Sequence, residues 1–240
     1  MLYRYETHCH CCECSACSRS PARELVYAYH SAGYAGLVLT DHFIHGNTAV
    51  DRSLPWHEQM QCFYDAYLDA KAVGEELDFD VIFGIEHAYG HGKEVLIYGI
   101  DLDFLLANPD IPTLTLDELT ARVHTAGGIV VQAHPYRNRG YIDMSVGPRA
   151  DLVDGIEVYN VGNQPGEDRK ALALAQTGNY ILTAGSDIHS ALDARIGLGG
   201  IILPYRVHNE KEFVAALKRG DQKFLIDGVI CPTIQPEDLP

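Results

Sequence analysis

Apolar residues recur along the chain in short runs, separated by stretches where they fall every three or four positions. The short runs cover residues 2–8, 35–41, 80–86, 94–100, 128–133, 154–159, 180–185 and 199–204. Their length and their content of valine, isoleucine, leucine and tyrosine predict strands. Between Trp56 and Glu76, Met60, Phe63, Tyr64, Tyr67 and Ala70 fall on one side of a helix, a spacing that buries one face. Ser20 followed by Pro21 predicts a helix start, and Gly33 its stop. Further helices are expected near 116–126, 166–177 and 209–219, and an extended tail over 231–240. Strands that alternate with helices, with no internal repeat, predict an α/β fold built on parallel strands. A chain of 240 residues suits one such barrel, so 1–240 is read as a single domain.

The strands end on unusual residues. His8 and His10 close the first run, Asp41 and His42 the second, Glu86 the third, His134 the fifth, and Asp187 with His189 the seventh. A barrel of parallel strands gathers its carboxyl ends at one face, which is where a metal site can be assembled from distant residues. Side chains at i and i+2 point the same way on a strand. His8 with His10, and Asp187 with His189, therefore each aim two donors at one centre. Asp187 alone would read as a turn residue, but its partner at i+2 favours a ligand pair. Asp41 and His42 are adjacent, so one faces inward while the other orients it or reaches in from the loop. Carboxylates mixed with imidazoles suit zinc, manganese or ferrous iron better than calcium or copper. Glu157 also ends an apolar run, as a pocket residue or as support for a ligand. His30, His57, His124 and His208 fall on predicted helices or their flanks and take no role; His45 and His87 lie nearer the motifs and are unassigned.

These blocks together resemble the PHP family, the polymerase and histidinol phosphatase superfamily of metal-dependent phosphoesterases. The resemblance rests on Thr7-His8-Cys9-His10, Thr40-Asp41-His42, Gly84-Ile85-Glu86, Ala133-His134-Pro135 and Gly185-Ser186-Asp187-Ile188-His189, which occur in family order across most of the chain. It implies a distorted barrel of about seven strands, (β/α)7, with two or three divalent ions (zinc, manganese or iron). By motif, His8, His10, Glu86 and Asp187 would hold one ion. Glu86 would bridge to a second ion that also uses His134, and His42 and His189 would serve a third. The implied activity is hydrolysis of a phosphomonoester or small phosphodiester by a metal-bound hydroxide, with His42 or His189 protonating the leaving group when free of metal.

The chain departs from the family pattern twice. Many members carry an Asp or His five or six residues after the second opening His, where this chain has Ser15 and Ala16. Glu13 and the neighbouring cysteines, Cys17 among them, are the replacement donors. Many members also carry a His in the strand after the bridging Glu, about where Leu96 stands; His91 is the candidate substitute.

Composition narrows the function classes. With 18 basic against 33 acidic residues, the formal charge is -15, which disfavours a sequence-independent grip on nucleic acid and fits a small phosphorylated substrate. No apolar stretch approaches the roughly 20 residues of a membrane span, and the first ten residues do not read as a signal peptide, so a cytoplasmic protein is expected. Five of the seven cysteines lie between Cys9 and Cys17; outside an oxidising compartment disulfides are disfavoured. The spacing of Cys11, Cys14 and Cys17 suits a separate metal cluster, but no fourth cysteine follows, and a loop of small side chains is preferred. Arg137 follows His134 at the expected barrel mouth, where a guanidinium would clamp two phosphate oxygens; Arg139 and Arg195 are further candidates. The alternatives to a phosphoesterase are a non-catalytic metal-binding module, a nuclease, and a metal hydrolase of amides or lactones.

Overall fold

The computed structural model describes residues 2–240. The strands are β1 (Tyr3–Cys9), β2 (Gly36–Leu39), β3 (Asp80–Gly90), β4 (Lys93–Tyr98), β5 (Ile129–Gln132), β6 (Gly155–Asn160), β7 (Ile181–Gly185), β8 (Gly200–Leu203), β9 (Lys223–Ile226) and β10 (Val229–Cys231). The helices are α1 (Ala22–Ser31), α2 (Trp56–Leu77), α3 (Leu102–Ala107), α4 (Leu116–Thr125), α5 (Glu167–Ala175) and α6 (Glu210–Arg219). All the strands belong to one sheet, ordered β10-β9-β8-β1-β2-β3-β4-β5-β6-β7. Among the described residues no helix is long and apolar enough to cross a membrane.

The α/β class is as expected, but the barrel of seven parallel strands is replaced by a curled, mixed, ten-stranded sheet, a half-barrel. β1, β2 and β3 run parallel, as do β5, β6 and β7. β4 is antiparallel to both of its neighbours, and so are β8 and β9 to theirs. The physical reason for β4 is chain length. β3 runs on to Gly90, and only His91 and Gly92 separate it from β4, whereas a parallel return needs a dozen or more residues. The turn has His91 at φ 58 and Gly92 at φ 71. A Cβ on Gly92 would lie 2.5 Å from the Tyr141 carbonyl, so a glycine is needed there for space as well as for conformation.

Alternation along the strands sorts their side chains between two cores. Leu37, Leu39, Val81, Phe83 and Ile85 pack with Leu25 and Tyr29 of α1 and Phe63 and Tyr67 of α2. Val38, Ile82, Leu96, Tyr98, Val131 and Ile156 pack with Phe213 and Leu217 of α6. Curling brings the end of β7 back against β1: the Asp187 N–H donates to the His8 carbonyl at 2.7 Å, and the His10 N–H to that of Ile188 at 3.0 Å. Gly185 permits this approach, since a Cβ there would stand 2.7 Å from the His8 Cβ. The C-terminal tail is docked rather than free. Ile234 and Leu239 are buried, and Arg169 holds the Leu239 carbonyl at 2.8 Å.

Candidate metal centre

The strand ends that carry ligand-type residues converge where the sheet curls. His8 is on β1 with His10 just beyond it, Glu86 is on β3, His42 and His134 follow β2 and β5, and Asp187 and His189 follow β7. Past β2 the backbone stays in register with β3, so that His42 pairs with Glu86. His134 and Asp187 adopt φ 25 and φ 55, conformations that cost roughly 1–3 kcal/mol each for residues with a Cβ. Hydrogen bonds hold both: the His134 N–H donates to Glu157 Oε2 at 2.9 Å, and the Asp187 N–H donates to His8 as above.

Glu86 is the hub, fully buried. Its Oε1 lies 3.2 Å from His8 Nε2 and 3.0 Å from His134 Nε2. Its Oε2 lies 2.7 Å from His42 Nδ1 and 3.7 Å from His10 Nε2. Asp187 Oδ1 lies 3.0 Å from His10 Nε2 and 3.5 Å from His8 Nε2. The side chains fall into overlapping groups able to surround an ion: His8, His10 and Asp187; His8, Glu86 and His134; His42, Glu86 and Glu94; His10, His42 and His189. Each group brings its donor atoms within 4.8 Å of one another.

The donor set fits divalent cations. His8 Nε2, His10 Nε2, His42 Nδ1, Glu86 Oε2 and Asp187 Oδ1 are all buried without a hydrogen-bond partner. A buried polar atom left unpaired costs roughly 1–3 kcal/mol, and five aimed at one volume would be satisfied together by cations. Burial opposes charge on His8, yet the carboxylates of Glu157, Asp187 and Glu86 raise its pKa well above the usual value. Burial, with His42 and His189 nearby, pushes His10 well down. Against burial, His8 and His42 hold Glu86 well below the carboxylate range, and Arg137 and His8 do the same for Asp187.

A second set of residues positions the donors. Glu157 Oε1 takes His8 Nδ1 at 2.9 Å, leaving Nε2 free to face the centre, and Glu157 Oε2 accepts from Asn160 at 3.0 Å. Glu157 is thus a support for a ligand. Asp41 plays the outer part of the Asp41–His42 pair: its Oδ1 accepts from Ser15 Oγ at 2.7 Å and from the Cys11 N–H at 2.8 Å. Ser15 Oγ in turn is 3.2 Å from His10 Nδ1 and accepts from the His42 N–H at 3.0 Å.

Three candidate residues lie apart from the donor groups or are engaged in other bonds. Both carboxylate oxygens of Glu13 accept from the Ala22 N–H at 3.2 Å, at the start of α1. His91 stands at the tip of the β3–β4 hairpin, 3.7 Å from Asp143, outside every ligand group. Arg137 is close to the centre but is not an open clamp. Its guanidinium donates to Asp187 Oδ2 from Nη1, to Asn160 Oδ1 at 2.8 Å from Nη2, and to Asn163 Oδ1 at 3.0 Å from Nε. It orients Asp187. Arg139 is engaged by Glu167 and the Gly162 carbonyl, and Arg195 by Asp193. Cys17 lines the cleft with His42 and His189. Cys11 and Cys14 lie together beside Asp41, with the Cys11 thiol donating to Asp41 Oδ2 at 3.0 Å.

The sequence reading missed Glu94. It lies on β4 two positions before Leu96, so both point to the same face, with Oε1 3.5 Å from His42 Nδ1 and Oε2 3.6 Å from His134 Nε2. The two-residue offset was the available signal. A cleft of about 690 Å³ opens from the centre, with Glu94, Asp187, His42, His189 and Cys17 at its inner end.

No protein-family model and no curated protein matches the sequence. Solved structures do share its shape. A two-domain protein from Bacteroides vulgatus containing a predicted PHP-like metal-dependent phosphoesterase superposes with TM-score 0.69 at 13% identity, over 96% of this chain and 66% of that one. An amidohydrolase from Chromobacterium violaceum, with bound sulfate and no metal, gives TM-score 0.54 at 16% identity over 78% and 87%. An Endonuclease Q in complex with a 27-mer duplex bearing an abasic lesion gives 0.59 at 10% over 92% and 58%. At these identities the likeness establishes the fold, and proteins of that fold include one that acts on nucleic acid.

Proposed function

We propose that this chain, whose fold is that of the PHP-like metal-dependent phosphoesterases, hydrolyses a phosphomonoester or small phosphodiester with two or three divalent ions. The observation that carries this reading is the convergence of five buried, unpartnered donor atoms on one volume, two of whose residues, His42 and Asp187, line an open cleft. His8, His10, Glu86 and Asp187 would hold one ion. Glu86 and His134, joined by Glu94, would hold a second, and His42 and His189 a third, beside Cys17. Ions bound there supply Lewis acidity, an acidified water and a hold on the phosphoryl oxygens.

The protein's own groups do the rest. Glu157 and Ser15 fix the ring orientations of His8 and His10, and Arg137 fixes the Asp187 carboxylate, so the centre is rigid before substrate arrives. His189 donates from Nδ1 to the Asp187 carbonyl at 2.8 Å and presents its other nitrogen toward the cleft, where it can hold an ion or pass a proton to the leaving oxygen. The test is to load chelator-stripped protein with zinc, manganese or ferrous iron singly. Each preparation is then assayed on aryl phosphates, an aryl ester and a lactone, with bound metal counted by elemental analysis. Phosphate-ester turnover that needs bound metal is expected. Protein that takes up no metal, or that loads fully and cleaves only the carboxylic substrates, overturns the reading.

A further inference from the structure

Beyond the ligands the cleft has a second half with a different character. Its walls are His45 and Asn47 from the loop after β2, His87, Ala88 and Tyr89 from β3, Pro112 and Leu114 from the segment after α3, and Tyr141, so that aromatic and aliphatic surface is mixed with two imidazoles and an amide. Hydrogen bonds set these walls in place. His45 donates from Nε2 to the Pro112 carbonyl at 2.8 Å, tying two loops together, and Tyr89 donates to Gln132 at 2.8 Å. The Asp143 N–H donates to the His91 carbonyl at 3.0 Å, which fixes the segment carrying Tyr141 to the hairpin tip. Tyr141 is 65% exposed at the mouth, an exposure that costs an aromatic ring more than a polar side chain.

Lysine and arginine are missing from this half. Among the described residues Arg137 is the one arginine lining the cleft, with no lysine beside it, and three of its N–H groups already go to Asp187, Asn160 and Asn163. The inner end carries the carboxylates Glu94 and Asp187, and the chain as a whole is acidic, at -15. A phosphate held at the metal centre has cations around it. A second phosphate reaching into the outer half would be stripped of water against tyrosine, leucine and proline with no ammonium or guanidinium to receive it, which is unfavourable.

We infer that the substrate is a singly phosphorylated ester whose leaving group is uncharged and flat or apolar, and that the outer wall selects it against bisphosphates and nucleic-acid strands. This rests on the phosphoesterase reading and adds to it the chemistry of the leaving group. Aromatic and aliphatic walls take up a ring by burial and stacking, and the metal centre takes the phosphate common to all such esters.

The test uses binding rather than turnover. Titration calorimetry on metal-loaded protein would compare methylphosphonate, phenylphosphonate and 1,4-phenylenebisphosphonate, with Leu114→Lys and Tyr141→Ala as variants. Phenylphosphonate should bind about tenfold more tightly than methylphosphonate, after the usual association costs, and more tightly than the bisphosphonate. Leu114→Lys should narrow or reverse the discrimination against the bisphosphonate by supplying the missing charge, while Tyr141→Ala should shrink the advantage of the ring. Metal content should be the same in all three proteins. Equal binding of methyl- and phenylphosphonate, or a preference of the parent protein for the bisphosphonate, overturns the inference and leaves the phosphoesterase reading standing. If no phosphonate binds metal-loaded protein, the phosphoesterase reading itself fails and this inference with it.

Discussion

Two residues of the centre make separable claims. Glu86 presents both oxygens to four imidazoles from three segments. Glu86→Gln keeps the shape but replaces one oxygen with an NH2 that faces ring nitrogens, so metal affinity should fall by more than about tenfold and turnover should fall with it. Elemental analysis after dialysis against a weak chelator checks this, and unchanged retention would remove Glu86 from the centre. Arg137 is bound on three sides, and a lysine ammonium can keep the Asp187 contact but not those to Asn160 and Asn163. Arg137→Lys should therefore lower stability by roughly 1–3 kcal/mol and loosen the ion that Asp187 holds. A variant that keeps its metal and its melting temperature but binds phosphonate weakly would return Arg137 to the role of substrate clamp.

At the scale of elements, the β3–β4 hairpin decides what could be read from the chain. Apolar runs ending in His8, Glu86, His134 and Asp187 were legible because strand periodicity and a terminal ligand are both local signals. The direction of β4 was not, since it depends on how far β3 continues through His87, Ala88 and Tyr89, which do not look like an extension of an apolar run. With the family's His sought at the place of Leu96, that position marked an absence and Glu94, two residues before it, drew no notice. α3, β9 and β10 escaped because three to six residues give too little periodicity to register. Glu94→Ala should lower the metal stoichiometry by about one ion per chain while the ion of His8, His10 and Asp187 remains, as counted by elemental analysis. The start of α5 offers a pH prediction. Asp168 is buried there, which raises its carboxyl from 3.8 to about 7 despite hydrogen bonds from Asn163 and Asn160. The folded protein thus holds this proton more tightly than the unfolded chain does. The stabilisation is complete below about pH 4 and is lost as pH rises toward 7. Asp168→Asn, which keeps the acceptor oxygen, should flatten the fall in melting temperature between about pH 4 and pH 7, measured in chelator; a parallel fall in both proteins would show that Asp168 does not titrate in this window.

For the whole molecule, the unpaired donors at the centre and the acidic balance predict that ions hold the fold as well as the reaction. A ligand present at 100 times its dissociation constant stabilises the native state by about 2.7 kcal/mol. Chelation should accordingly lower the melting temperature by several degrees, on the order of 5 °C, with recovery on adding the cognate ion; a melt indifferent to chelator would argue that the centre is preformed and carries no metal. The central place of β1, between β2 and β8, bears on how the protein is made. His8 and His10 are translated long before Asp187 and His189, which stand beside them in the folded protein. At roughly 5–20 residues per second, the early histidines wait on the order of ten seconds or more for their partners. Metal capture by the complete site would therefore wait for β7, and a nascent chain stalled before β7 would expose two imidazoles and five nearby thiols to whichever soft cation the surrounding fluid offers first.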